Sequence, residues 1–138
     1  MRTTISLVAT ALFALGGCAT LQPSGDVIAM THSGKIAGAA QNGVITFKGV
    51  PYAQPPVGDL RWAPPRPVRW DGVREARAFG LPCLQPTNPD GVTANGAGVS
   101  GTSSEDCLYL NIWAPAKARN TPIMLWLYGG GGTMGAGS

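Results

Sequence analysis

The chain has 138 residues, of which 44% are hydrophobic and 12% charged, and its formal net charge at pH 7 is +3. This composition is typical of one small folded domain and excludes a disordered or highly charged chain. The one local basic cluster is formed by Arg66, Arg69, Arg74 and Arg77. A nucleic-acid interface would need a denser basic patch with interleaved aromatics, so we predict a solvated face and no nucleic-acid partner.

The first 18 residues have the pattern of an export signal. Arg2 supplies a positive charge, residues 5–15 are almost entirely apolar, and small residues follow. The apolar run is too short to span a bilayer, as expected of a secretory signal. We therefore predict export.

Residues 15–18 read Leu-Gly-Gly-Cys and resemble the lipobox of bacterial lipoproteins, whose cysteine is lipidated and becomes the mature N-terminus. We predict a lipoprotein-type signal peptide over residues 1–18, lipid on Cys18, and a tether over residues 19–26. An ordinary signal peptide is the alternative. The expected location is the bacterial cell envelope, in the outer membrane if the host is Gram-negative, and otherwise the periplasm or the exterior.

Three short strands are predicted next, over residues 27–30, 35–39 and 44–48. The turns between them are Ser33-Gly34 and Asn42-Gly43. Asn-Gly is the stronger signal, because both residues readily adopt the positive φ of a tight hairpin. We therefore expect antiparallel strands at the start of the domain.

Residues 49–70 contain six prolines, a density that neither a helix nor a central strand tolerates. We predict an ordered, irregular segment that packs on the domain, rather than a proline-rich ligand for a partner. The side chains expected to hold it are Tyr52, Leu60, Trp62 and Trp70. For residues 72–79 we predict one or two helical turns at most.

Two cysteines, Cys83 and Cys107, remain after Cys18 is assigned to lipid. Export favours a disulfide between them, which would stabilise the fold by roughly 3 to 4 kcal/mol in the chain-entropy model. Two free thiols or a two-ligand metal site are the alternatives. His32 is the only histidine and has no nearby ligand type, so we predict a surface turn residue and no metal.

Residues 108–114 predict another strand. Residues 123–127 form a continuous apolar run, which is typical of a strand buried on both faces, and we expect these two strands to pair antiparallel. The run leads into Gly129, Gly130, Gly131 and Gly132. Glycine backbone without Cβ atoms can turn its N–H groups onto an anion, either a phosphate or the oxyanion of acyl transfer.

Three motifs resemble the type-B carboxylesterases, a family that includes the cholinesterases and has the α/β-hydrolase fold. They are residues 47–62 (FKGVPYA, then PPVG and LRW), residues 105–112 (EDCLYLNI) and residues 127–131 (LYGGG). Their order and spacing also resemble the family. The resemblance implies an α/β fold in which residues 27–138 are the incomplete N-terminal part of the domain, with antiparallel strands leading into the central sheet.

The same resemblance implies site residues. These are oxyanion-hole donors at Gly130 and Gly131, a disulfide between Cys83 and Cys107, and an ion pair between Arg61 and Glu105. The family's G-x-S-x-G nucleophile elbow, acid and histidine lie further downstream, and the printed sequence contains no such elbow. Gly132 stands where the family usually has an aromatic residue, which removes a wall of the acyl site.

The function implied is a carboxylic ester hydrolase with a serine acyl-enzyme mechanism, of which this chain alone is inactive. The resemblance also implies the substrate class. In the cholinesterases the loop closed by this disulfide presents an aromatic face to a quaternary ammonium, and the sequence between Cys83 and Cys107 has no aromatic residue, so we expect a small uncharged ester. No cofactor is implied. The alternatives are a non-catalytic, neuroligin-like binding protein of the same fold and a dinucleotide-binding module, since Gly130, Gly132 and Gly135 satisfy G-x-G-x-x-G.

Overall fold

The computed structural model describes residues 25–86 and 102–137, and these residues are organised by a five-stranded sheet. The strands are β1 (Gly25–Met30), β2 (Lys35–Gln41), β3 (Val44–Pro51), β4 (Val73–Glu75) and β5 (Tyr109–Pro115). The order is β1-β2-β3-β5, all antiparallel, and β4 pairs with β2 in parallel. The predicted signal peptide, Cys18 and most of the tether lie outside the described residues.

The two predicted hairpins are confirmed. At the second, Asn42 and Gly43 have φ of 51° and 76°, the pair of positive values that a two-residue turn requires between twisted strands. At the first, the Thr31 N–H donates to the Gly34 carbonyl at 3.0 Å. β1 begins at Gly25, so the last two residues of the predicted tether belong to the sheet.

A small core lies on one face of the sheet. Ile36, Phe47, Val50 and Ala76 are buried, with Trp70 among the side chains packed against them. Burying one such aliphatic side chain stabilises the fold by about 1.5 to 3 kcal/mol. In the part of the chain that is described, no helix is long and apolar enough to cross a membrane.

The proline-rich segment is irregular, as predicted, apart from one 3-10 turn at Gly58–Leu60, but its anchors differ from expectation. Trp62 is 92% exposed and Tyr52 is 52% exposed, so neither holds the segment in place. Trp70 does, because it packs on the core and its indole N–H donates to the Lys35 carbonyl at 2.8 Å. The sequence pattern identified the aromatic residues as candidate anchors, but it did not show which of them faces the core.

The prediction of helical turns over residues 72–79 is wrong. β4 occupies Val73–Glu75 and runs beside β2. The Ala76 N–H donates to the Ala37 carbonyl at 2.8 Å, and Ala76 is fully buried. Hydrogen bonds to the sheet therefore satisfy the backbone N–H and C=O groups that a helix would have paired internally.

The prediction of a buried strand over residues 123–127, paired with residues 108–114, is also wrong. No strand is found there among the described residues, and the five side chains are 78–95% exposed. An apolar run becomes a buried strand only where neighbours pair with its backbone and cover both faces. The described part of the chain supplies neither, since β5 ends the sheet and, among the described residues, no strand pairs with its other edge.

Candidate active site

The glycine turn, residues 129–135, has a backbone that favours glycine at several positions. The φ values are 128° at Gly130, 63° at Gly131, 74° at Gly132 and 116° at Gly135. Residues with a Cβ rarely adopt such angles, so a side chain would strain the turn even where there is space for it. Thr133 closes the turn, because its N–H and its hydroxyl both donate to the Gly130 carbonyl, at 3.2 and 3.1 Å.

The turn presents free backbone donors. Within residues 25–86 and 102–137, the N–H groups of Gly130, Gly131 and Gly132 donate no hydrogen bond. A Cβ at Gly131 or Gly132 would meet nothing within 4 Å, and both residues are exposed. Consecutive unpaired N–H groups on a bare backbone are the donors that an oxyanion hole needs.

The turn also closes on itself. A Cβ at Gly130 would overlap the Met134 carbonyl. A Cβ at Gly135 would lie 2.6 Å from the Gly129 carbonyl oxygen and 2.6 Å from the Tyr128 ring. The two limbs therefore touch through backbone atoms, and this close approach is possible only because glycine stands at both contacts.

Two side chains from outside bond the backbone at the end of the turn and just after it. Asn111, on β5, accepts from the Gly49 N–H at 2.8 Å and donates to the Gly137 carbonyl at 2.9 Å. Gln85 bonds the backbone of Gly135. The sequence placed Asn111 in a motif but did not predict this contact. Gln85 was not predicted at all, because it belongs to no recognisable sequence pattern.

The structure contains a disulfide between Cys83 and Cys107, whose Cα atoms are 5.0 Å apart. A backbone bond from the Ser104 N–H to the Pro82 carbonyl, at 2.9 Å, lies beside it. The disulfide lines a cavity of about 40 Å³, room for about one water molecule. The other wall includes Tyr128 and Gly137, so the base of the loop lies next to the glycine turn.

Arg61 and Glu105 form an ion pair, with Nε 2.6 Å from Oε1. The pair joins the proline-rich segment to the entrance of β5. The two side chains are 55% and 33% exposed, so solvent screens the pair and its net contribution to stability is small. Its effect is to fix one segment against the other.

Two tyrosines near the site have perturbed acidities. Burial raises the pKa of Tyr109, and the hydrogen bond that its hydroxyl donates to the Asp106 carboxylate, at 2.8 Å, raises this pKa further. The positive charge of Arg74 opposes the shift. Burial also raises the pKa of Tyr52, with a smaller contribution from Tyr128. Both phenols therefore hold their protons at neutral pH.

The dinucleotide interpretation of the glycines is not supported by the geometry. That fingerprint places a pyrophosphate at the N-terminus of a helix that begins within the motif. Here residues 131–133 form a turn, and no helix begins between residues 129 and 137. The metal alternative for the cysteines is wrong as well, because their sulfurs are bonded to each other.

Solved structures with a similar fold include esterases. A PNB esterase superposes with a TM-score of 0.70 at 42% identity, over 80% of this chain and 23% of its own. A thermophilic PNB esterase gives 0.70 at 41% identity, over 80% and 23%. The fold is therefore the N-terminal part of an α/β-hydrolase fold, as the sequence predicted.

The carboxylesterase family model matches residues 25–138, and this chain belongs to that family. Similar curated proteins include phenmedipham hydrolase from Pseudarthrobacter oxydans, 43% identical over 80% of this chain and 23% of its own length. Fumonisin B1 esterase from Sphingopyxis macrogoltabida is 46% identical over 78% and 19%. Para-nitrobenzyl esterase from Bacillus subtilis is 42% identical over 80% and 22%. The chain thus spans about a fifth of the length of these relatives.

Proposed function

We propose that this chain is the N-terminal segment of a serine carboxylesterase and that it supplies the oxyanion hole. The observation that carries the proposal is the glycine turn, whose unpaired N–H groups at Gly130 and Gly131 follow an esterase-like motif in a chain of the carboxylesterase family. Because the sequence contains no G-x-S-x-G elbow, the nucleophile, acid and histidine would come from chain beyond residue 138.

The chemistry assigned to this segment is electrostatic. When a serine attacks an ester carbonyl, negative charge develops on the carbonyl oxygen. The N–H groups of Gly130 and Gly131 donate to that oxygen, and one such donor is worth about 3 to 4 kcal/mol of barrier. Since the charge exists only in the transition state and the tetrahedral intermediate, these donors raise kcat rather than tighten substrate binding.

The substrate proposed is a small, uncharged ester. Between Cys83 and Cys107 the sequence offers no Trp, Tyr or Phe, whereas recognition of a quaternary ammonium depends on aromatic faces. Gly132 adds no side chain to the acyl site, and a Cβ there would meet nothing within 4 Å in the described residues. The three relatives named above carry the names of a phenmedipham hydrolase, a fumonisin B1 esterase and a para-nitrobenzyl esterase.

A lipid anchor on Cys18 is proposed on sequence grounds alone. The Leu-Gly-Gly-Cys pattern follows an apolar export segment, and six residues separate Cys18 from the first strand, a reach of about 20 to 25 Å at most. The enzyme would then act at the surface of the cell envelope. Fractionation tests this: Cys18→Ser should move the exported protein from membranes to the soluble fraction, and a Cys18→Ser protein that stays with membranes contradicts it.

The catalytic proposal is tested with a fluorophosphonate, which reacts with activated serines. In the protein that continues beyond residue 138, mass spectrometry should place the adduct on a serine downstream of Ser138. The 138-residue chain alone should not hydrolyse p-nitrophenyl acetate faster than its Gly130→Ala/Gly131→Ala variant. An adduct on a serine within residues 1–138, or hydrolysis by the chain alone, would contradict the assignment.

A further inference from the structure

Gln85 makes a reciprocal pair of hydrogen bonds with one backbone residue of the glycine turn. The Gly135 N–H donates to Gln85 Oε1 at 2.7 Å, and Gln85 Nε2 donates to the Gly135 carbonyl at 3.0 Å. Nε2 also donates to the Cys83 carbonyl at 3.1 Å. Rotating the amide by half a turn would lose all three bonds, so one orientation of this side chain is strongly preferred.

Fixing Gly135 restrains the donors at the other end of the turn. Gly135 lies against the Gly129 carbonyl, and Gly130 lies against the Met134 carbonyl. These contacts are between backbone atoms, which have no rotamers with which to relieve a displacement. A shift of Gly135 therefore moves Gly129 and Gly130, and with them the directions of the two N–H groups assigned to the oxyanion.

Gln85 is itself held by the disulfide. It lies two residues after Cys83, and the Cys83–Cys107 bond fixes the base of the loop from which it projects. The hydrogen bond from Gln85 Nε2 to the Cys83 carbonyl also links the Gln85 side chain directly to the backbone of a disulfide cysteine. A path from the sulfurs to the glycine turn thus runs through the Gln85 side chain.

We propose that Gln85 is a positioning residue for the oxyanion hole and that it couples the Cys83–Cys107 disulfide to the orientation of the Gly130 and Gly131 N–H groups. The inference rests on the proposed function for its kinetic consequence, although the coupling itself is structural. Gln85 touches no reacting atom. Its effect should appear in kcat, since misdirected donors weaken binding of the transition state and leave ground-state binding intact.

The kinetic test uses the complete protein with three variants and a neutral p-nitrophenyl ester. Gln85→Met keeps the side-chain length but makes none of the three bonds, and kcat should fall about 10- to 100-fold with KM changed less than about twofold. Gln85→Glu keeps the acceptor for the Gly135 N–H but sets a carboxylate oxygen against the Gly135 and Cys83 carbonyls, so its kcat should also fall. Gln54→Met is the matched control, because within the described residues the Gln54 side chain bonds the Pro67 carbonyl and no residue of the glycine turn.

A second measurement separates positioning from general stability. Backbone hydrogen exchange over residues 129–135 should speed up in Gln85→Met and stay at the wild-type rate in Gln54→Met. Reduction of the disulfide should lower the kcat of the wild type and add little to the loss in Gln85→Met, because both changes act along one path.

The proposal is overturned if Gln85→Met and Gln85→Glu keep the wild-type kcat, or if they change KM alone. It is also overturned if exchange at residues 129–135 is the same in all variants. Should Gln85→Met fail to fold, Gln85→Glu decides between these outcomes. If the complete protein hydrolyses no ester, the proposed function fails, while hydrogen exchange still decides whether Gln85 positions the turn.

Discussion

The Asn111 side-chain amide donates to the Gly137 carbonyl at 2.9 Å and so ties the middle of β5 to the chain two residues after the glycine turn. Its oxygen accepts from the Gly49 N–H at 2.8 Å. Gly49 has φ of 65° and lies where the register between β3 and β5 shifts. The Asn111 side chain therefore satisfies two backbone groups. One is the Gly49 N–H, which lies at the shift in strand register, and the other is the Gly137 carbonyl.

Replacing Asn111 should separate these two contacts. Asn111→Leu leaves both backbone groups without their partner and should lower the free energy of unfolding by about 1 to 3 kcal/mol. Asn111→Asp keeps the acceptor for the Gly49 N–H and should cost less. Denaturant unfolding of the two variants checks this, and an Asp variant as unstable as the Leu variant would show that the bond to Gly137 carries the effect.

The disulfide should contribute to stability independently of the lipid proposed on Cys18. It encloses a sequence separation of 24, and removing it with Cys83→Ser/Cys107→Ser should cost roughly 3 to 4 kcal/mol through the entropy of the unfolded chain. Cys18→Ser is the control and should leave the unfolding midpoint unchanged. Thiol labelling of exported, unreduced protein should find neither cysteine free, and labelling of both would contradict the pairing.

Tyr109 should make stability depend on alkaline pH. Burial and the bond to Asp106 raise its pKa above 10.0, so the folded state holds this proton more tightly than the unfolded chain. Its contribution is complete below pH 10.0 and is lost as pH rises through the folded-state pKa. Unfolding midpoints measured across this range should fall less steeply in Tyr109→Phe than in the wild type.

The matched variant for this titration is Asp106→Asn, which can still accept the hydrogen bond but carries no charge. The pKa of Tyr109, followed by phenolate absorbance, should then move part of the way back toward 10.0, since burial remains. An unchanged titration in Asp106→Asn would mean that burial alone raises the pKa.

The proposed substrate class predicts no preference for cationic esters. On the complete protein, kcat/KM for butyrylthiocholine and for a neutral butyrate thioester should agree within about tenfold, because the sequence between the cysteines has no aromatic face for an ammonium group. A larger preference for the choline ester would mean that an aromatic residue elsewhere forms a cation site, and the substrate proposal would be wrong.

Local chemistry in the sequence was enough to predict the hairpins and the disulfide. Asn42-Gly43 specifies a tight turn through the backbone preferences of those two residues alone, and the structure has the turn. The Cys83–Cys107 bond followed from the number of cysteines and the expected compartment, with two alternatives open until the structure was known. Neither prediction required knowledge of distant contacts.

Features that depend on distant partners were not predictable in the same way. Residues 123–127 have the composition of a buried strand, but burial depends on neighbours that the described chain does not place there. The sequence around Ala76 does not predict a strand, yet the Ala76 N–H donates to the Ala37 carbonyl of β2. Gln85 is likewise an ordinary loop residue until folding brings it to Gly135, 50 positions away.

The central claim is that Gly130 and Gly131 donate to the oxyanion, and kcat of the complete protein for p-nitrophenyl butyrate tests it most directly. Gly130→Ala forces a Cβ against the Met134 carbonyl at a φ of 128°, which should misdirect the N–H groups. Gly25→Ala is the control, because a Cβ there meets nothing within 4 Å. We predict a kcat about 10²- to 10³-fold lower in Gly130→Ala with little change in KM, and wild-type values in Gly25→Ala. A Gly130→Ala enzyme with the wild-type kcat would contradict the account.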